Sequence, residues 1–344
     1  MKIATTYVET LAAQIEKIDA PVSTIFIGGG TPTVLDNIPL EKLLKSLHKL
    51  IRTDIEFTVE ANPESLTKNK LSILLNNGVN RLSVGVQSFN DNTLQKLGRV
   101  HSTKEAREAI YSAEKAGFTN IGLDLMFGIW GQTLSEWEND LRKAVQMPVK
   151  HISCYALTYE KDTPAESMLN KNSITALDDK TTSHMYKTAI SDLSENDFKQ
   201  YEISNFAKKD FECKHNINYW NNNEYIGLGA SAVSYIAGSR EKNVSYTSEY
   251  IKKASSGYAL GTSREKLCAQ KRAKETAAFK IRMTEGISFD WFKEKTGYDL
   301  LELEKESLPE IFSSGLLAHT TNPSGIRLTK KGLLLCDIVS SAFL

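Results

Sequence analysis

Thr24-Ile25-Phe26-Ile27-Gly28-Gly29-Gly30-Thr31-Pro32-Thr33 joins a short apolar, β-rich run to three consecutive glycines. The run predicts a strand that stops where the glycines begin. Glycine has no Cβ and accepts φ > 0, so the main chain can turn sharply and bring its own N–H and C=O groups close to a small molecule. Pro32 keeps Thr31 out of the helical region, so no helix opens at once. Two phosphate loops are excluded: no Gly-Lys-Ser/Thr follows, and Gly28-x-Gly30 lacks the third glycine of a dinucleotide fingerprint. Alone, such a turn merely joins a strand to a helix, and the surrounding chain decides what it does.

Apolar residues recur at helical spacing over 7–18, so a helix precedes the stretch. After it, strand and helix signals alternate: strand 22–27, helix 40–51, strand 55–60, helix 66–76, strand 81–87, helix 103–116. The alternation continues with strand 120–126, helix 135–145, strand 151–157, helix 178–193 and strand 199–203. This order predicts a parallel α/β sheet built from βα units, and the near-continuous apolar strands predict burial on both faces.

The chain has 344 residues, enough for one large domain and a smaller one. Lys+Arg and Asp+Glu each number 42, and this balance argues against a protein that neutralises nucleic-acid phosphates. No signal-peptide core opens the chain and no run approaches membrane-spanning length, so a soluble cytoplasmic protein is expected. Cys154, Cys213, Cys268 and Cys336 lie far apart with no C-x-x-C spacing, which points to reduced thiols rather than to a zinc site or a disulfide framework.

In parallel α/β folds the loops after the strands gather on one face, and that face carries the site. Polar residues fall at those ends: Gly28 to Thr31, Glu60 and Asn62, Gln87 and Ser88, with Asp124, Tyr155 and Glu202 in the later strands. A single one could be a helix cap or a satisfied core group. An aspartate between Leu123 and Leu125 is costly to bury without a partner, which suggests a ligand hydroxyl or a cation.

Gly28-Gly29-Gly30-Thr31-Pro32-Thr33, Val59-Glu60-Ala61-Asn62-Pro63, Arg81 to Phe89, Leu97-Gly98-Arg99-Val100-His101 and Asp124 to Thr133, taken in order, carry a resemblance. The chain resembles, over its whole length, the radical S-adenosylmethionine (SAM) proteins related to oxygen-independent coproporphyrinogen III oxidase. The resemblance implies a partial (β/α)6 barrel, here missing its first strand, followed by a small helical domain. It implies that Gly29, Gly30 and Thr31 hold the methionyl amino group and that Glu60, Gln87 and Arg99 contact the rest of the cofactor. By the same resemblance Asp124 takes the ribose hydroxyls, and Ala156 and Val233 line the adenine. A planar guanidinium for a carboxylate and an aspartate for a diol are sound chemistry.

The resemblance also calls for a C-x-x-x-C-x-x-C loop holding a [4Fe–4S] cluster, and none of the four cysteines has that spacing. Either the cluster ligands lie in a segment upstream of Met1, or this is a relative without a cluster. An open sheet edge left by the absent strand favours the upstream segment.

Cys213-Lys214-His215-Asn216-Ile217-Asn218-Tyr219-Trp220 contains H-N-x-x-Y-W, which resembles the haem-binding signature of the HemW branch, haem chaperones within this family. His215 would ligate iron, with Tyr219 and Trp220 offering flat apolar surface to the macrocycle. The motif is read as a loop ahead of a strand near 225–228, and Cys213, two residues before His215, is read as either a second ligand or an inert thiol, the latter preferred. The resemblance implies haem-accepting partner proteins, with weak contact to membrane proteins among them. The alternative activity is oxidative decarboxylation of coproporphyrinogen III.

Small residues in 225–235 are expected to close the cofactor pocket. The predicted division is a barrel with the haem motif over 1–237, a polar boundary over 238–263, and a C-terminal domain over 264–344 in which helices precede two short strands, as in a winged helix.

Overall fold

The apolar run does end at the glycines. In the computed structural model, which describes residues 2–344, it forms β1 (Thr24–Ile27), and Gly29 follows with φ of +81°. Four strands follow in chain order, each parallel to the one before: β2 (Glu56–Ala61), β3 (Arg81–Gln87), β4 (Ile121–Phe127) and β5 (His151–Ala156). Parallel neighbours need crossovers, here the helices Lys68–Asn76, Thr103–Ala116 and Leu134–Val145. Their starts are fixed by Thr67, Ser102 and Thr133, whose hydroxyls accept N–H groups of the first turn; Ser102 with Glu105 and Thr133 with Glu136 form reciprocal capping boxes. Every residue of β3 is buried, as burial on both faces requires. These strands form the parallel part of a partial βα barrel, with β1 at one edge of the sheet.

The expected sixth parallel strand is corrected. Residues 199–203 hold only β6 (Lys199–Gln200), which turns back into β7 (Asn205–Ala207), and β7 runs antiparallel to both β5 and β6. A connection this short can only make a hairpin. Glu202 lies in that turn, its carboxylate accepting from the Ser204 N–H and the Asn205 amide, while Tyr201 N–H donates to the Asn205 carbonyl.

The chain forms two compact units. Residues 24–34 and 56–212 make the barrel unit; residues through Ser23, 35–55 and 213–344 make the other. In the second unit the helix Lys2–Ile15 sends Tyr7 edge-on to Tyr250, centroids 5.8 Å apart, and the Tyr7 hydroxyl accepts the Ala230 N–H at 2.8 Å.

Residues 238–263, expected to be a boundary, carry regular structure: β9 (Ser239–Asn243), a helix (Thr247–Ser255) and the start of β10 (Gly261–Lys266), joined to β8 (Val233–Ile236) in an antiparallel sheet. The polarity there belongs to solvated strands, since β10 is exposed along most of its length. The C-terminal part is mainly helical, with a small sheet of β11 (Ile287–Ser288), β12 (Leu317–Thr321) and β13 (Ser324–Leu328). Among the described residues no helix is long and apolar enough to cross a membrane.

Candidate functional site

The glycine turn is built around a carboxylate. Gly29 N–H donates to Glu60 Oε2 at 3.2 Å, and a Cβ on Gly28 would stand 2.5 Å from the same oxygen, so a larger residue would displace Glu60. Burial, then the charge of Asp124, push the Glu60 pKa up; the Gly29 N–H draws it down.

At the end of β3 the chain makes a tight turn that sequence reading missed. Gln87 has φ of +66°, and Ser88 N–H donates back to the Val86 carbonyl at 2.9 Å, a γ-turn in a strained conformation. Gly85 makes room for what this aims: a Cβ there would lie 2.8 Å from Gln87 Nε2 and 3.0 Å from Asn62 Oδ1. Asn62 in turn donates to Thr31 Oγ1 at 2.9 Å, which ties the glycine turn to the ends of β2 and β3. The turn is clamped from behind by Asp140, fully buried, whose carboxylate accepts the Ser88 hydroxyl at 2.5 Å and the Phe89 N–H at 2.9 Å.

Arg99 is presented by a helix stop. After the helix Asp91–Lys96, Gly98 takes φ of +66°, Gly98 N–H donates to Gln95 O and Arg99 N–H to Leu94 O, the paired bonds of a Schellman motif. His101 pins this loop: its Nε2 lies 3.2 Å from the Val86 carbonyl and its Nδ1 lies 3.2 Å from Glu64 Oε2.

Asp124 stands in a polar row with one residue on each neighbouring strand: Glu60 is in register with Ser83, and Asp124 with Ser153. Ser83 Oγ donates to Asp124 at 3.3 Å, and Ser153 bonds the same carboxylate. Burial pushes the Asp124 pKa up, while Ser153, Arg81, Ser83 and Arg99 pull it back. Arg81 is 1% exposed, so a full positive charge lies inside the barrel beneath this row. His151, beside it, is held neutral first by burial and then by that charge, with Nε2 2.9 Å from the Tyr201 hydroxyl. Ala156 ends β5 and is exposed.

Val233 belongs to the other unit, as the first residue of β8, where Gly227 approaches so closely that a Cβ would meet the Val233 carbonyl at 2.1 Å. The small residues of 225–235 therefore accommodate this unit's own backbone and the Tyr7 hydroxyl, which a Cβ on Gly229 would meet at 2.5 Å.

H-N-x-x-Y-W is not in a loop but forms the helix Lys214–Trp220, with fully buried Cys213 at its N-cap. Helical spacing sets His215 and Tyr219 on one face, rings edge-on at 5.0 Å. The aromatic contact continues from Tyr219 to Tyr225 at 4.6 Å and from Tyr225 to Tyr235 at 6.1 Å. His215 is half-buried and Tyr219 is 37% exposed. Trp220 points elsewhere, with the Arg282 guanidinium 5.0 Å from its ring. The expected strand at 225–228 reduces to one bridge between Tyr225 and Tyr235, because Asn222 in the left-handed region turns the chain and donates to Glu275 and Thr276. Among the described residues no three His, Cys, Asp or Glu side chains converge as a metal site. Cys154, Cys213 and Cys336 are buried and Cys268 is exposed, so these thiols offer no cluster ligand set.

The chain matches the family description "Radical SAM superfamily" over residues 4–144 and "HemN C-terminal domain" over residues 267–335. It is 39% identical over 327 residues to "Heme chaperone HemW" of Bacillus subtilis, covering 94% of this chain and 86% of that one. The protein of the same name from Lactococcus lactis is 33% identical over 341 residues, covering 98% and 89%. Among solved structures, coproporphyrinogen III oxidase (HemN) of Escherichia coli, a radical SAM enzyme, superimposes with a TM-score of 0.84 over 99% of this chain and 83% of that one. At 20% identity that likeness establishes the fold.

Proposed function

Since this chain belongs to the HemW heme-chaperone family within the radical SAM superfamily, we propose that it binds haem and hands it to acceptor proteins. One observation carries the reading: His215 and Tyr219 share an accessible helix face, backed by Tyr225 and the buried Tyr235. A neutral imidazole donates a lone pair to iron, and the exposed Tyr219 ring offers apolar surface to a macrocycle. The coproporphyrinogen oxidase reading rests on fold likeness alone.

In the same reading SAM takes the strand-end site of the barrel unit as a regulatory ligand; its cleavage to a radical would need an electron from a [4Fe–4S] cluster. Carbonyls of Gly29 and Gly30 with Thr31 would hold its ammonium, Arg99 its carboxylate and Asp124 its ribose diol. Glu60 and Gln87 would contact the remainder, and Ala156 the adenine; Val233, in the other unit, is given no part in this site. The glycine-lined space beside Glu60 and the ring of donors around Asp124 fit these roles. The thiols of this chain fit no [4Fe–4S] cluster, and the reading passes through none.

Titrating haem into wild-type protein and His215→Ala, followed at the Soret band, tests the proposal. The wild type should show a saturable shift that the variant loses. Equal affinity and identical spectra for the two would refute the assignment.

A further inference from the structure

Beside the aromatic row lies a cleft of about 190 Å³ that the function so far leaves unused. Tyr235, the last ring of the row, lines it together with Arg272, Lys295, Thr276 and Glu224. Its charge is unbalanced. Among the described residues the Arg272 guanidinium has neither hydrogen bond nor ion pair, and Lys295 Nζ donates only to the neutral Asn223 amide, at 2.6 Å. The one carboxylate, Glu224, is engaged by the Ala237 N–H at 2.7 Å. Nearby Glu275 is neutralised by Arg240, at 2.8 Å.

The guanidinium is also held in place. Gly238, with φ of +71°, lies so close that a Cβ would stand 2.4 Å from Arg272 Nη1, so the backbone there leaves a slot for the arginine. Burial lowers the Lys295 pKa and the charge of nearby Glu224 raises it in part, so the single carboxylate of the cleft is set against two cations. Two cations and the Tyr235 hydroxyl around a small cleft make a receptor for a carboxylate, while the Thr276 hydroxyl is spent on the Arg272 carbonyl at 2.8 Å.

We propose that this cleft takes a propionate of the haem whose iron His215 ligates. The inference rests on the haem reading and adds its second anchor. Ring contacts of 5.0, 4.6 and 6.1 Å connect His215 through Tyr219 and Tyr225 to Tyr235, buried in the cleft wall, so a tetrapyrrole held by His215 over the exposed Tyr219 would have this cleft beside its edge. A planar, pre-positioned guanidinium fixes which edge that is.

The test compares iron protoporphyrin IX, its dimethyl ester and metal-free protoporphyrin IX on wild type, Arg272→Met, Lys295→Met and Arg272→Lys, with thermal melts as a folding control. Removing one charge-assisted contact should weaken haem about tenfold in each Met variant, with the Soret position kept because His215 still ligates. Arg272→Lys should recover part of the loss. The metal-free porphyrin should lose affinity in parallel, whereas the ester should bind wild type and Met variants alike. Haem affinity unchanged in both Met variants, or an equal loss for haem and ester, overturns the propionate site while leaving the haem reading intact. A wild type that binds no haem overturns both.

Discussion

Asp140 is the residue whose replacement most directly tests how the strand-end site is held. Its carboxylate is fully buried and accepts the Ser88 hydroxyl at 2.5 Å and the Phe89 N–H at 2.9 Å, immediately after the strained Gln87. Asp140→Ala orphans both donors, at about 1–3 kcal/mol each, so roughly 2–6 kcal/mol of stability should be lost. Asp140→Asn keeps an acceptor for Phe89 and can pair with Ser88 through its amide, so near pH 4, where the wild-type acid is largely neutral in the fold, it should fold about as well as wild type.

The pH dependence separates the two forms of the acid. Burial pushes the Asp140 pKa from 3.8 to about 6, against the pull of Ser88 and Phe89. With the folded pKa above the unfolded one, the extra stability of the neutral form is fully present below about pH 4 and is lost as pH rises through about 6. A rise of this size corresponds to about 3 kcal/mol. The stability of Asp140→Asn relative to wild type, from urea unfolding, should therefore climb by up to about 3 kcal/mol between pH 4 and pH 7.5. A flat difference over that range, or an Ala variant within about 1 kcal/mol of wild type, would refute the clamp.

Two further outcomes follow from the same site. Gly28→Ala puts a methyl 2.5 Å from Glu60 Oε2 at an exposed turn, so SAM affinity measured by calorimetry should drop at least tenfold with little change in melting temperature; unchanged affinity would separate Glu60 from the ligand. The Glu60 and Asp124 pKa values are both raised above 4.5 and 3.8, so SAM affinity should fall on acidification already at pH values above those numbers, and Asp124→Asn should bind weakly with a shallower profile.

Much of the barrel was legible because its signals are local and repeated. The strand at 81–87 and the helix at 103–116 match the sequence expectation, since an unbroken apolar strand and a Ser-x-x-Glu start with a Gly117 stop leave little choice. Other features depend on contacts distant in sequence. Arg81 reads as a polar strand start and is instead a buried cation, and Gly85 reads as a weak strand residue although it clears space for Gln87 and Asn62. Asp140 carried a usable signal: with Trp137, Leu141 and Ala144 it falls on the buried stripe of its helix, where a charge needs a partner. The helix at 214–220 was hidden by Asn216 and Asn218, poor helix formers; part of that cost is offset where the Asn218 side chain donates to the Glu224 carbonyl and accepts from the Asn223 amide.

The two candidate sites make opposite physical demands, and each unit meets one of them. A cofactor that is to be kept needs preorganised partners: in the barrel unit Gly28 and Gly85 remove side chains so that Glu60, Asn62 and Gln87 are fixed, and Asp140 and His101 pin the loops from behind. Cargo that is to be passed on needs a ligand which another protein's side chain can replace. A half-buried histidine on about two turns of helix, backed by aromatic rings rather than enclosed by them, would leave one face of a bound iron and much of the macrocycle open to an acceptor. Exchange of axial ligands can then begin before the donor lets go, so transfer need not pass through free haem. On the proposed haem site, the single imidazole would supply retention and the open face release, and deepening the pocket around His215 would strengthen the first only by slowing the second.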